Sequence, residues 1–387
     1  MTWRPDRRRA GVAVAGGLSF INLYTPQAIL PDIARDFDVG VMQAGLTMTA
    51  PLLAVACMAP FVGGISDRLG RKTLIVTAGF LLVLPTLLVA TAPGLHAMVL
   101  WRFLQGLLVP FVFTVCVAYI GEECPGSAGI RAAGSYAIGT IIGGFSGRLL
   151  AGLFTEHGDW RMGFLAVAAC SLAGAIFVAL VLPRERRFVP LRGGLHATFA
   201  TYVEHLRTPR LIATCAIGFS MLFTNVAAFT YVNFYLAAPP FLLSPAQLGL
   251  VFGVYLLGVL TTSFASAVAV RIGRRRTLVL AAALAASGLL LTLAPVLALV
   301  IAGLACMSGG LFVVQALSLG FIATTTRRAK SAAVGLYVTV YYIGGALGGL
   351  LPGGVWGHAG WAGVVALLVA VQAAIAAIGM VFWREPA

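Results

Sequence analysis

Charged side chains divide this chain into long uncharged stretches. No Asp, Glu, Lys or Arg occurs over 39–66, 73–101 or 162–183, nor in the longer runs 211–270, 277–326 and 331–383. A helix rising about 1.5 Å per residue crosses about 30 Å of hydrocarbon with roughly 20 apolar residues. Each short run therefore predicts one crossing, and each long run predicts two joined by a neutral turn. Lipid offers no hydrogen bonds to the backbone, so a spanning segment is a helix or a strand of a closed barrel, and the alternation of barrel strands is absent. The pattern predicts twelve helices, over 10–33, 41–66, 74–92, 97–121, 131–154, 162–182, 210–236, 246–269, 277–294, 297–322, 332–355 and 362–382. The expected fold class is an all-α membrane protein. Arg4, Arg7, Arg8 and Arg9 ahead of an apolar run also resemble the start of a signal peptide, but removal would take only one crossing of twelve, so the segment is read as a retained first helix.

Composition agrees with the pattern: the 387 residues are 60% apolar and 10% charged, with a mean hydropathy of +0.98. A soluble domain is nearer 25% charged. The charge that remains is strongly sided. About 22 of the 26 Lys and Arg fall in the N-terminal tail, the loops near 68, 131, 184–210, 271 and 327, and at Arg384. The opposite side carries Arg35 and Arg161 beside Asp32, Asp36, Asp38, Glu156 and Asp159. Basic loops stay in the cytoplasm, and an even number of crossings puts both termini there. The net charge of +14 is thus a signal of topology. Nucleic-acid binding is not expected, because the charge is dispersed over short membrane-flanking loops. Five of the six cysteines fall in predicted helices and Cys124 lies in a cytoplasmic loop, so no disulfide or metal-ligand spacing presents itself, and no cofactor is expected.

The chain also repeats itself. An offset of 201 lays Gly134 on Gly335, Tyr136 on Tyr337, Gly143 on Gly344, Gly147 on Gly348, Gly152 on Gly353, His157 on His358 and Trp160 on Trp361. An offset of 203 lays Phe20 and Asn22 on Phe223 and Asn225, and Arg68, Gly70 and Arg71 on Arg271, Gly273 and Arg274. Two six-helix bundles related by duplication follow, over 1–182 and 210–387, with a cytoplasmic linker over 183–209. Both halves begin on the same side, so the repeat is parallel. Within the linker Leu195, Phe199, Tyr202 and Leu206 share a helical face; an interfacial helix and a solvated connection both fit.

Between the second and third crossings the charge concentrates in GGISDRLGRK, from Gly63 to Lys72. This stretch resembles the signature loop of the major facilitator superfamily, with Gly63, Asp67, Arg68, Gly70, Arg71 and Lys72 in the pattern and Ile65 in place of its Leu. The resemblance implies a gating loop, in which Asp67 pairs with a neighbouring basic residue or sits against a helix N-terminus and locks the inner face in one state. The second copy carries Val270 where the Asp should be, so the lock is one-sided. WRFLQG, with Arg102 and Gly106, is similar to the fourth-helix pattern of proton-coupled members. The glycine-rich fifth helix resembles that of the export branches, closer to the arabinose and drug efflux proteins than to drug antiporters, since the Gly-Pro of the latter is missing.

Ionisable groups inside membrane helices are costly and usually functional. Here they are Asp32, Arg102 and Arg148, all toward the outer third, and a pair of Asp32 with Arg102 or Arg148 is expected, either as a static bridge or as one that proton uptake breaks. Glu122 and Glu123 end the fourth crossing; they are proton-coupling candidates or partners of Arg131. The second half puts no charge in any helix, which argues against a strongly charged substrate at mid-depth. A cavity of neutral groups remains: Asn22, Gln27, Gln105 and Tyr136 from the first half, and Asn225, Tyr231, Tyr255, Gln315, Tyr337 and Tyr341 from the second. Asn22 and Asn225 are repeat-related and either face one substrate or bond neighbouring helices. The glycines of helices five and eleven are expected to permit close backbone packing.

The function implied is secondary transport in the bacterial inner membrane by a monomer working by alternating access, with proton-coupled efflux of a small neutral or amphipathic compound, drug or sugar-like. The partners are then that substrate, protons and lipid. Uptake by symport is the alternative direction. A membrane enzyme would need convergent His, Asp, Glu or Cys in the membrane, which the sequence lacks, so no catalytic activity is expected.

Overall fold

The computed structural model describes residues 6–186, 207–257, 267–325 and 330–383, and the regular structure among these described residues is helical. Helix α1 (Arg7–Tyr24) begins where the Asp6 carboxylate accepts from Arg8 N at 3.1 Å. It ends ahead of Pro26, which has no N–H to continue the ladder. The chain tightens into a 3-10 turn, Thr25–Ile29, and re-forms as α2 (Leu30–Asp36). Ile29 and Ile33 anchor the re-formed segment in a core with Val89, Met98, Trp160 and Phe164. There follow α3 (Val41–Leu69), α4 (Arg71–Ala90), α5 (Leu95–Glu123), α6 (Ser127–Glu156), α7 (Trp160–Val181), α8 (Pro209–Ala237) and α9 (Pro245–Val251). Beyond them lie α10 (Arg274–Leu291), α11 (Leu297–Thr325), α12 (Lys330–Leu350) and α13 (Pro352–Phe382), the last broken at Gly360, whose φ is 55°.

Nine of these helices, α3 to α8 and α11 to α13, are long and apolar enough to cross a membrane among the described residues. The hydropathy pattern predicts twelve, and the difference has physical sources. Helices α1 and α10 each open on three arginines, Arg7, Arg8, Arg9 and Arg274, Arg275, Arg276, which shortens their apolar length. Helix α9 gives way to a 3-10 turn at Phe252–Leu257, and the residues beyond it, 258–266, lie outside the described part. Arg4, and the apolar face of Leu195, Phe199, Tyr202 and Leu206, also lie outside it.

The chain divides into two compact units. One comprises Met1–Phe37, Ala50–Leu195 and Ser244–Leu250; the other comprises Asp38–Thr49, His196–Leu243 and Val251–Ala387. In the first, α1 packs along α6, and α4 along α5 and α7; in the second, α8 packs along α12, and α10 along α11 and α13. These are the pairings that the sequence repeat relates to one another. Glycine sets their closeness. A Cβ on Gly139, Gly143 or Gly147 of α6 would strike the backbone oxygen of Ala13, Gly17 or Ile21 in α1, and one on Gly344 or Gly348 of α12 would strike that of Phe219 or Phe223 in α8. Small residues allow such backbone contact in lipid, where packing rather than hydrophobicity drives association. The short exchanged segments are seated alike: Gly152 meets Pro245 in the first unit, and Gly353 meets Met42 in the second.

The repeat also fixes backbone geometry. Gly70 has φ 89° and ψ 150°, and its copy Gly273 has φ 86° and ψ 149°. This region costs a side chain about 1–3 kcal/mol. A Cβ on Gly273 meets nothing within 4 Å, whereas one on Gly70 falls 2.5 Å from Glu185 Oε1. Gly273→Ala should therefore lower the melting temperature only by its backbone strain, and Gly70→Ala should lower it further, because the Glu185 carboxylate must move off Lys72 N to make room. Equal shifts in thermal unfolding of the two purified variants would contradict this.

Candidate functional site

The signature loop places its charges at the junction of α3, α4 and α5. Asp67, in the last turn of α3, accepts from Arg71 Nη2 at 2.7 Å. Arg71 turns back because Gly70 reverses the chain, and it is buried with contacts on three sides. Its Nη2 and Nε meet Glu122 Oε1 and Oε2 at 2.6 and 3.1 Å, the side-on fork that guanidinium and carboxylate favour. Its Nη1 reaches Ser66 Oγ. Arg68 stays exposed and Lys72 is half-buried, its backbone N–H donating to Glu185 Oε2 at 3.3 Å; Gly63 has open space around it. Glu185 thus caps the start of α4, a role the sequence alone did not suggest.

Glu122 and Glu123 do not pair with Arg131. Glu123 accepts from Arg186 N at 2.8 Å and lies 3.6 Å from Arg8 Nη2, while Arg131 donates to Ser127 Oγ at 3.1 Å. The reason is geometric: α6 starts afresh at Ser127, and Arg131 finds its partner one turn back on its own helix. At the other end of the unit, Asp36 accepts from Trp160 Nε1 at 3.0 Å and from Arg161 Nη1 at 2.9 Å. These two donors hold its carboxyl below the ordinary range. Arg161 also pairs with Asp159 at 3.1 Å and lies 4.3 Å above the Trp160 ring.

Nor does Asp32 pair with the membrane arginines. It pairs with Arg35 on its own short helix, at 3.1 Å. The interruption of α1 gives the arginines other acceptors, because the last carbonyls of a helix have no partner within it. Arg102, fully buried, donates from Nη1 to Asn22 O at 2.7 Å and to Gln105 Oε1 at 2.6 Å, and from Nη2 to Leu23 O. Arg148, 4% exposed, donates from Nε and Nη2 to Gln27 Oε1 at 2.9 and 2.7 Å, and from Nη1 to Gly144 O at 2.7 Å. Its guanidinium lies 4.6 Å above the Tyr24 ring. Both arginines therefore hold the broken segment Tyr24–Leu30, one before it and one within it.

The neutral candidates fall into separate groups. Asn22 joins Arg102 and Gln105 in a buried network: its Nδ2 donates to Ser171 Oγ at 2.8 Å, Thr86 Oγ1 approaches its Oδ1 at 2.7 Å, and Gln105 Nε2 donates to Thr86 at 2.7 Å. Its amide thus bonds α1 to α4 and α7. Tyr136 donates to Phe113 O at 3.3 Å. In the second unit the Tyr255 hydroxyl donates to Asn225 Oδ1 at 2.8 Å, and Tyr255 stands beside Phe229, with ring centroids 4.6 Å apart. Gln315 Nε2 donates to the Tyr341 hydroxyl at 3.2 Å, and Tyr341 stacks on the buried Tyr337. Tyr231 donates to Gly349 O at 2.8 Å. Sequence reasoning missed Thr86, Ser171, Thr224 and Gln372. Yet Ser171 and Gln372 are related by the same offset of 201 as the tryptophans, and Gln372 Nε2 donates to Thr224 Oγ1 at 2.8 Å, as Asn22 does to Ser171. That offset was the available signal.

Comparison with known proteins agrees with this architecture. The family model of the Major Facilitator Superfamily matches residues 12–241 and 222–387. The Escherichia coli inner membrane transport protein YnfM is 32% identical over 354 residues, covering 92% of this chain and 85% of that protein. The Bacillus subtilis MFS-type transporter YybF is 30% identical over 355 residues, covering 92% of this chain and 88% of its own. Among solved structures, the nucleoside transporter NupG superimposes with a TM-score of 0.81 at 13% identity, over 97% of this chain and all of that one. A bacterial homologue of the lysosomal transporter Spinster gives 0.74 at 14% identity, over 98% of this chain and 95% of its own. With a helical fold of this kind, repeated helix pairings and family matches over nearly its whole length, the chain is a multi-pass membrane protein that belongs to the Major Facilitator Superfamily.

Proposed function

We propose that this chain is a secondary active transporter of the bacterial inner membrane, exporting a small neutral or amphipathic compound in exchange for protons by alternating access. Twelve crossings, both termini in the cytoplasm, and two six-helix halves over 1–182 and 210–387 complete the reading. The observation that carries it is the cluster in which Arg71 is shared by Asp67 and Glu122 at 2.7 and 2.6 Å. It joins the ends of α3 and α5 through one guanidinium at the start of α4, so a change in either carboxylate alters how three helices are held. The candidates for carrying protons are Asp32, Glu122 and Glu123. The names of the relatives support transport, and the helix-five resemblance supports export.

The test compares accumulation of fluorescent dyes and labelled sugars in cells with and without the protein, before and after a proton uncoupler. Lower accumulation that the uncoupler restores is the expected result. Accumulation above control that the uncoupler abolishes would mean uptake and overturn export. Asp67→Asn should slow turnover at least about tenfold, the factor corresponding to 1.4 kcal/mol, while membrane insertion is unchanged. Wild-type turnover in that variant would remove the loop from the mechanism.

A further inference from the structure

The interruption of α1 presents a cation in an arrangement suited to a particular ligand. Arg148 turns its Nε–Nη2 edge on Gln27, both nitrogens donating to the single Oε1 at 2.9 and 2.7 Å. That edge is the one a carboxylate engages with two parallel charge-assisted bonds. A side-chain amide there is a neutral stand-in, supplying one oxygen where a carboxylate supplies two. A row of aromatic rings starts at the guanidinium and leads away from it. The Tyr24 ring lies under the guanidinium, Phe20 lies 6.0 Å from Tyr24, and Phe113 lies 6.4 Å from Phe20, centroid to centroid. Phe20 and Phe113 are half-buried; Phe20 stands beside Arg148, both lying within 4 Å of a Cβ placed on Gly144, and Phe113 extends the row away from the cation. Arg102 adds a second guanidinium to the same interruption, on the carbonyls of Asn22 and Leu23.

From this we infer that the amphipathic substrate is an organic acid with an aromatic body, whose carboxylate displaces Gln27 from Arg148 while its ring lies against Phe20 and Phe113. The inference rests on the transport reading above and narrows its substrate. The sequence argument against a charged substrate rests on the lack of charge in the second half; here the charge comes entirely from the first. A neutral ligand displacing Gln27 would exchange one neutral acceptor for another. An acid exchanges it for a charged one that neutralises the buried guanidinium, and the two charge-assisted bonds offset the carboxylate's own desolvation.

The test is ligand-induced thermal stabilisation of the purified full-length protein, using 2-naphthoate and its neutral isostere 2-naphthamide. A saturable rise in melting temperature with the acid, and a response at least about tenfold weaker with the amide, is expected; that factor corresponds to 1.4 kcal/mol. Arg148→Gln should abolish the response to the acid. Gln27→Glu provides a second variant that keeps Arg148 and places a carboxylate of the chain itself in the seat. It should fold as wild type and lose the response, whereas Gln27→Ala should retain it. Equal responses to acid and amide, no response to the acid, or an undiminished response in Gln27→Glu would each overturn the inference. Binding is read without transport, so a protein that binds the acid but moves nothing would sink the transport reading and leave the acid site standing.

Discussion

Replacing Arg102 with methionine should lower the stability of the purified protein by about 2–4 kcal/mol, because three buried acceptors lose their donor. Asn22 O and Leu23 O lie at the end of α1, ahead of Pro26, which has no N–H to offer, and Gln105 Oε1 shares the same guanidinium. A buried acceptor left without a donor costs about 1–3 kcal/mol. Part of that is offset, since methionine removes a charge that burial itself disfavours. Arg102→Lys should fall between the two, because an ammonium cannot span the carbonyls with a planar fork. Thermal unfolding in detergent measures the effect. If Arg102→Met melted with the wild type, the carbonyls must be satisfied otherwise, and the arginine would not be what holds the interruption.

The other large effect is expected where backbones touch. Gly143 of α6 faces the backbone of Gly17, and Gly344 of α12 faces that of Phe219, so close that a Cβ has no room on either. Overpacking usually costs about 1–3 kcal/mol because neighbouring side chains yield. Here the obstructing atoms are backbone oxygens, which cannot rotate away, so the helices themselves must part. Gly143→Val and Gly344→Val should reach the upper end of that range and reduce the yield of monodisperse protein. Gly134→Val is the control, since nothing lies within 4 Å of its Cβ position. Size-exclusion profiles of all three variants decide the matter; similar profiles would mean that the glycine rows do not set the helix spacing.

Much of the fold was legible because membrane helices are dictated by composition along a line. Uninterrupted apolar runs predict where helices cross, and an offset near 200 residues, which needs no structure to find, relates Trp160 to Trp361 and Gly70 to Gly273. The signature loop was legible for a similar reason: Asp67 and Arg71 are four residues apart across the Gly70 turn, so their pairing is local. The partners of the buried arginines were not legible. An acid such as Asp32 is the obvious counter-charge on electrostatic grounds, yet Arg35, three residues on, takes it.

The sequence by itself determined that this chain is a helical membrane protein with an internal repeat of residues, and where its charges concentrate, because hydropathy, charge and repeats are properties of residues in order. Only the tertiary structure decided that Arg102 and Arg148 bind an interrupted helix through carbonyls and an amide, and that Glu185 caps α4. The physical reason is that backbone oxygens have no letter in the sequence: they become acceptors only where a helix ends, and which side chain reaches them depends on which helices lie alongside.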